Sequence, residues 1–238
     1  MTGPSPKASA GAVPPARFTR AGDSAIVVEF EERIDAAINA RCIALADAVR
    51  VYDVPGIRDV VPAYRSVTVY FDPLRTEHAR LLEVLKQSTR ELSQVVESSG
   101  QEHRVPVCYG GDFGPDLGDV ARFGQLPEDA AIARHLAPAY RVFMLGFTPG
   151  FAYLGPVDEQ IAAPRRATPR TRVPAGSVGI AAGQTGIYPI ETPGGWQLIG
   201  RTPLRIFDPS RPRPSVFQPG DTVRFFQIGL DEWDRYTS

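Results

Sequence analysis

The sequence predicts an α+β protein in two halves. The first alternates strands and amphipathic helices in the order βαββαβ, and the second is a set of short strands closing into a β-barrel. Three observations carry this reading. Between Phe18 and Cys108, β-rich runs alternate with two stretches whose apolar residues recur every three to four positions. From Tyr140 onward, short apolar runs alternate with glycine and proline punctuation, the pattern of strands joined by tight loops. A chain of 238 residues can bury one large core or two modest ones.

Met1 to Pro15 is rich in proline, alanine, glycine and serine, with no basic region leading into an apolar one, so 1–16 is expected to be a disordered tail rather than a signal peptide. Ser24 to Phe30 carries the strand run Ala25-Ile26-Val27-Val28. Asp35 to Tyr52 is a helix, because Ile34, Ile38, Cys42, Leu45 and Val49 form one apolar stripe, and Val54-Pro55-Gly56 ends it. Asp59 to Ala63 and Ser66 to Phe71 are the middle strands. Thr76 to about Val96 is a second helix, offering Leu81, Leu82, Leu85, Leu92, Val95 and Val96 for burial, and Glu97-Ser98-Ser99-Gly100 stops it. Glu102 to Cys108 completes the order, which is that of a ferredoxin-like domain, a scaffold that specifies no function by itself. The domains are set at 17–102 and 103–230.

Between Gly110 and Ala137 the chain is Gly/Asp-rich and then briefly helical, over Asp116 to Arg122 and Pro127 to Leu136. In the strand from Tyr140, Val142, Met144 and Gly146 face one way and Phe143, Leu145 and Phe147 the other, so it is expected to be central. Pro219-Gly220-Asp221 turns the chain into a last strand, Thr222 to Gln227. Many short strands with a helix or two describe a closed or nearly closed barrel.

Composition excludes several function classes. A net charge of −1 and a pI near 6.3 give no field favouring nucleic acid or an anionic membrane. Apolar runs fall short of the ~18 residues of a membrane helix. Cys42 and Cys108 are isolated, which reads as reduced core thiols of a cytosolic protein and not as a disulfide framework or zinc site. Among 26 basic residues only Lys7 and Lys86 are lysine, the first in the tail and the second on a helix, so neither reads as the catalytic lysine that an amidase-signature enzyme needs with a serine pair in glycine/serine-rich surroundings. Ala175-Gly176-Ser177-Val178-Gly179 lacks the first glycine of a nucleophile elbow. No Walker A loop and no biotin-bearing lysine beside methionine occur. His78, His103 and His135 are too scattered to propose a metal site. The chain alone looks incomplete as a catalyst.

The densest stretch runs from Leu145 to Arg201. It opens Leu145-Gly146-Phe147-Thr148-Pro149-Gly150-Phe151-Ala152-Tyr153-Leu154 and continues through Pro164-Arg165-Arg166-Ala167-Thr168-Pro169-Arg170-Thr171-Arg172. It then passes Gly183-Gln184-Thr185-Gly186-Ile187-Tyr188-Pro189 and ends Gly194-Gly195-Trp196-Gln197-Leu198-Ile199-Gly200-Arg201. Arg165, Arg166, Arg170, Arg172, Arg201 and Arg205 outnumber the local acids Asp158, Glu159, Glu191 and Asp208. Planar guanidinium suits bidentate capture of carboxylate or phosphate; the alternative is that these arginines pair with those acids or are solvated. Four Thr-Pro pairs, at Thr148, Thr168, Thr192 and Thr202, stiffen the loops.

With Val105-Pro106-Val107-Cys108-Tyr109-Gly110-Gly111 and Phe113-Gly114-Pro115-Asp116-Leu117, these motifs resemble one family over Arg17 to about Phe226. It is the family of the 5-oxoprolinase B subunit, allophanate hydrolase subunit 1 and Kip-type histidine-kinase inhibitors, matching subdomains C and D of the urea carboxylase carboxyltransferase domain. One departure is His135-Leu136, where the family commonly has a hydroxyl residue after the histidine.

The resemblance implies a cyclophilin-like barrel and a cytoplasmic subunit that works beside a larger carboxyltransferase-like partner (the 5-oxoprolinase C subunit, or allophanate hydrolase subunit 2) and a ring-opening protein. It implies ATP with Mg in the assembled complex, a small anionic substrate such as 5-oxoproline, and no biotin on this chain. The expected site is lined by Arg172, Arg201, Gln184, Thr185 and Tyr188, with Phe147, Phe151, Tyr153 and Trp196 as apolar walls. The alternative is that the aromatics are barrel core, the commoner place for such residues in a barrel. Other readings are a Kip-type inhibitor that binds a sensor kinase, half of a carboxyltransferase for a urea-like substrate, and a prolyl isomerase, the last resting on the barrel alone.

Overall fold

The structure, a computed structural model, describes residues 15–92 and 100–237. The chain divides into two compact units, Met1–Val96 and Glu97–Ser238. The expected tail lies outside the described residues up to position 14.

The first unit holds β1 (Arg17–Arg20), β2 (Ala25–Glu29), α1 (Ala36–Val51), β3 (Ile57–Pro62), β4 (Ser66–Phe71) and α2 (His78–Glu91). Its sheet has the order β1-β2-β4-β3, with every neighbouring pair antiparallel. Asp35 caps α1 by accepting from the backbone N–H groups of Ala37 and Ile38, as an extended Asp does at a helix start. Ile38, Cys42, Leu45 and Val49 pack with Leu81 and Leu85 over Ile26, Val28, Val67, Val69 and Phe71, whereas Ile34 lies before the cap and is exposed. The expected continuation of α2 to Val96, with Val95, Val96 and the stop at Glu97-Ser98-Ser99, lies outside the described residues.

The expected βαββαβ order is corrected in one respect. The strand beside β2 is β1, reached by a tight turn at Gly22 (φ 68°), and not the strand at Glu102. The latter, β5 (Glu102–Tyr109), belongs to the second unit, where Val105 and Val107 enter the barrel core.

That unit continues with α3 (Leu117–Phe123), α4 (Glu128–Leu136), β6 (Tyr140–Leu145), β7 (Ala152–Gly155), β8 (Arg170–Val173) and β9 (Ser177–Ala181). It closes with β10 (Gln184–Ile187), β11 (Thr192–Gly194), β12 (Gln197–Arg201) and β13 (Thr222–Gln227). Seven strands form a closed barrel in the order β10-β7-β6-β13-β5-β12-β9, and β8 with β11 make a separate two-stranded flap. Among the described strands only the β5–β13 pairing is parallel, in register from Glu102 opposite Thr222 to Val107 opposite Gln227. β6 is less central than its apolar pattern predicts: Val142 and Phe143 are buried, but Met144 and Leu145 are half-buried and Phe147 lies beyond the strand. No helix among the described residues is long and apolar enough to cross a membrane.

Inside the barrel His135 is fully buried and fully hydrogen-bonded. The Thr185 hydroxyl donates to Gly179 O at 3.0 Å, so its oxygen accepts from His135 Nε2–H at 2.9 Å. Nδ1 is then the acceptor for the Tyr109 hydroxyl at 2.7 Å, and Tyr140 donates to the His135 carbonyl at 3.0 Å. Burial pushes the His135 pKa down from 6.5 to about 3. Between those values the unfolded chain binds a proton that the folded chain does not, so this contribution is complete above the unfolded pKa and is lost as pH falls below it. Urea unfolding should show wild type losing about 2 kcal/mol more than His135→Gln between about pH 7.5 and pH 5. Equal losses would mean that His135 is not held neutral.

Candidate functional site

Period-two alternation along the barrel strands creates a second apolar layer outside the wall. Ala152 and Leu154 of β7, Val178 and Ile180 of β9 and Ile187 of β10 point inward, while Phe151, Tyr153, Ala181, Tyr188 and Leu198 point outward beneath the flap residue Val173. Trp196 joins them. The rings meet edge to face, with Phe151 at 5.0 Å from Tyr153, 5.2 Å from Tyr188 and 5.3 Å from Trp196. Phe147 completes the set from the β6–β7 loop, 5.6 Å from Phe151 and 6.4 Å from Tyr188. It is 61% exposed and has φ 67°, a left-handed conformation that an aromatic residue rarely adopts. Gly150 at φ 82° leaves room for Phe207, which a Cβ would strike.

Cations rim this layer. Arg165 lies 6.0 Å over the Trp196 ring and has no acidic partner among the described residues. Arg166 and Arg170 both donate to Asp116 Oδ1, at 2.9 and 2.7 Å, while Asp116 Oδ2 accepts from the backbone N–H of Leu198 at 2.7 Å. The Asp116 side chain is only 3% exposed, so it ties the flap strap to β12. Arg166 Nε and Arg170 Nη1 are nonetheless buried without an acceptor among the described residues. Two guanidiniums share one carboxylate and Arg165 adds a third, which leaves an electropositive edge. Burial raises the Tyr188 pKa, against a backbone hydrogen bond from Trp196 and the charges of Arg165 and Arg170, so its hydroxyl stays protonated and can donate.

The expected aromatics Phe147, Phe151, Tyr153, Tyr188 and Trp196 are thus brought together, with Gln184 half-buried at the start of β10. Three expected residues stand elsewhere. Thr185 faces the barrel interior and its hydroxyl is bonded to His135 and Gly179. Arg172, on the opposite side of β8 from Val173, is exposed and paired with Glu191 at 2.7 Å. Arg201 donates through Nε to Ala175 O at 2.7 Å and lies 5.9 Å over Trp233, which Phe113 stacks upon. Of the six arginines in the motif stretch, Arg166, Arg170, Arg172 and Arg205 pair with acids. Asp116 was missed as their partner because it lies outside the Asp158 to Asp208 window; its signal was the Gly114-Pro115-Asp116 motif. No group of three or more potential metal ligands occurs among the described residues.

The family model "Carboxyltransferase domain, subdomain C and D" matches residues 16–217, and the chain belongs to that family. It is 42% identical over 225 residues to the B subunit of 5-oxoprolinase from Bacillus subtilis (strain 168), covering 90% of this chain and 94% of that one. It is 43% identical over 212 residues to the protein of the same name from Escherichia coli O157:H7, covering 88% and 95%. Among solved structures, TTHA0988 superposes with a TM-score of 0.76 at 39% identity, covering 86% of this chain and 40% of that longer one.

Proposed function

We propose that this chain is the smaller subunit of an ATP-dependent 5-oxoprolinase. The observation that carries the reading is the outer wall: five aromatic rings edged by a guanidinium with no acidic partner among the described residues. Such a surface suits a small, flat, anionic amide. 5-Oxoproline offers a planar lactam for the rings and a carboxylate for arginine. Relatives that this chain matches over nearly their full length are named as 5-oxoprolinase subunits, which supports the choice of substrate.

An unstrained lactam is a poor electrophile, and phosphorylation of its amide oxygen by ATP with Mg makes it reactive. In this reading, Arg165 takes the carboxylate, and the exposed Phe147 and half-buried Tyr153 rings meet the ligand while the buried Phe151, Tyr188 and Trp196 rings support them from behind. Arg166 and Arg170 offset the negative charge that builds on phosphorylation. Arg165 and Arg170 replace Arg172 and Arg201 as the binding cations. The larger partner and the ring-opening protein complete the site and the hydrolysis to glutamate. The family name also favours carboxyl transfer to a urea-like substrate, for which the same wall would hold a neutral amide.

The test is ADP release on adding 5-oxoproline to this chain with its partner and the ring-opening protein, each omitted in turn. Turnover that requires this chain supports the reading. Turnover that proceeds without it, or with urea alone as substrate, rejects it.

A further inference from the structure

A second polar groove, remote in sequence from the aromatic wall, opens where β5 and β13 begin. It has a volume of about 430 Å³ and is lined by Gln101, His103, Arg213, Ser215, Gln218 and Asp221. Its framework is rigid. Asp221, in the turn after Gly220 (φ 95°), accepts from Gln101 N through Oδ1 and from Gln218 N and His103 Nε2 through Oδ2, each at 2.9 Å. An ionised carboxylate only accepts, so His103 presents Nε2–H to it and keeps Nδ1 for other partners. The ring is further fixed edge-on to Phe217 at 5.2 Å. Ser215 donates to Phe217 O at 3.0 Å, so its oxygen can only accept from a ligand.

The groove therefore contains a committed anion and an uncommitted cation. Asp221 is 10% exposed and already accepts three hydrogen bonds, two of them from backbone. Arg213 is exposed, with no ion pair and no hydrogen bond among the described residues. The Gln101 and Gln218 side-chain amides add neutral donors. We propose that this groove is a binding site for a small oxyanion, a phosphate or carboxylate group, held by the Arg213 fork and the two amides, with His103 oriented by Asp221 at its floor. The volume exceeds that of a bare ion, so the natural occupant is a small molecule carrying such a group. The proposal does not depend on the 5-oxoprolinase reading, since no residue is shared with the aromatic wall.

The chain has three histidines, and His135 is buried, so the His103 ring resonances can be assigned with His103→Gln and followed by NMR on the full chain. Inorganic phosphate and acetate are titrated separately. A saturable shift of the His103 resonances with either ion, weakened on the order of tenfold in Arg213→Gln, supports the site, and the stronger ion identifies the group. Arg213 is exposed and makes no ion pair or hydrogen bond among the described residues, so its substitution should leave the melting temperature unchanged. No saturable shift with either ion, or one that Arg213→Gln leaves intact, would overturn the proposal, as would equal shifts at His78, the sign of an adventitious ion only.

Discussion

Asp116→Ala is expected to destabilise the barrel unit by about 3 kcal/mol, which lowers its melting temperature by roughly 6–12 °C in a chain of this size. The substitution removes the acceptor that Arg166, Arg170 and the Leu198 backbone N–H share. The carboxylate is 3% exposed while the two arginine side chains are 34% and 23% exposed, so water recovers part of the loss on the cationic side only. Leu198 N–H, buried in β12, recovers nothing. Asp116→Asn should fall between the two, because the amide keeps one acceptor but turns its NH₂ toward a donor. Thermal unfolding of the three proteins measures this directly, and an Asp116→Ala protein as stable as wild type would show that the flap strap is held by packing alone.

Gly194→Ala is expected to destabilise by about 2–3 kcal/mol and to lift the flap from the wall. A Cβ at Gly194 would sit 2.8 Å from Tyr188 Cε1 and Cζ and closer still to its hydroxyl oxygen. Tyr188 is 1% exposed and hemmed by Phe151 and Phe147, so it cannot swing away. Tyr188→Phe removes the hydroxyl that is struck first. The double variant Gly194→Ala/Tyr188→Phe should therefore be more stable than the sum of the single changes predicts. Strict additivity in unfolding free energy would place the strain somewhere other than this contact.

The same two positions show what the sequence made legible. Alternation in Phe151-Ala152-Tyr153-Leu154 and Gln184-Thr185-Gly186-Ile187-Tyr188 marked strands, and the glycine and proline punctuation marked a barrel. Alternation does not say which face is the interior. In a barrel whose wall is covered by a flap both faces are apolar, so Thr185 and Tyr188 read alike and turned out to lie on opposite sides. The partners of the arginines were illegible for a related reason. Partner choice is a long-range property, and Asp116 meets Arg166 and Arg170 across 50 and 54 positions of sequence. In the first unit, helix stripes at Ile38 to Val49 and Leu81 to Leu85 were plain. β1 was not, because Arg17-Phe18-Thr19-Arg20 carries one apolar residue and forms a strand only by pairing with β2. β5 was legible as a strand, but its sheet was decided by β13, which lies at the far end of the chain.

The central claim is that the cation-edged aromatic wall, and not the exposed face of β8, receives the substrate. Arg165 and Arg172 distinguish the two. Arg165 has no acidic partner among the described residues and Arg172 has only an exposed one, so Arg165→Ala and Arg172→Ala should each change stability by less than about 0.5 kcal/mol and leave the fold intact. The deciding measurement is the KM for 5-oxoproline in the reconstituted ADP-release assay with each variant. The account predicts that Arg165→Ala raises KM by about tenfold or more, while Arg172→Ala stays within about twofold of wild type. An unchanged KM in Arg165→Ala, or a larger rise in Arg172→Ala, would contradict it.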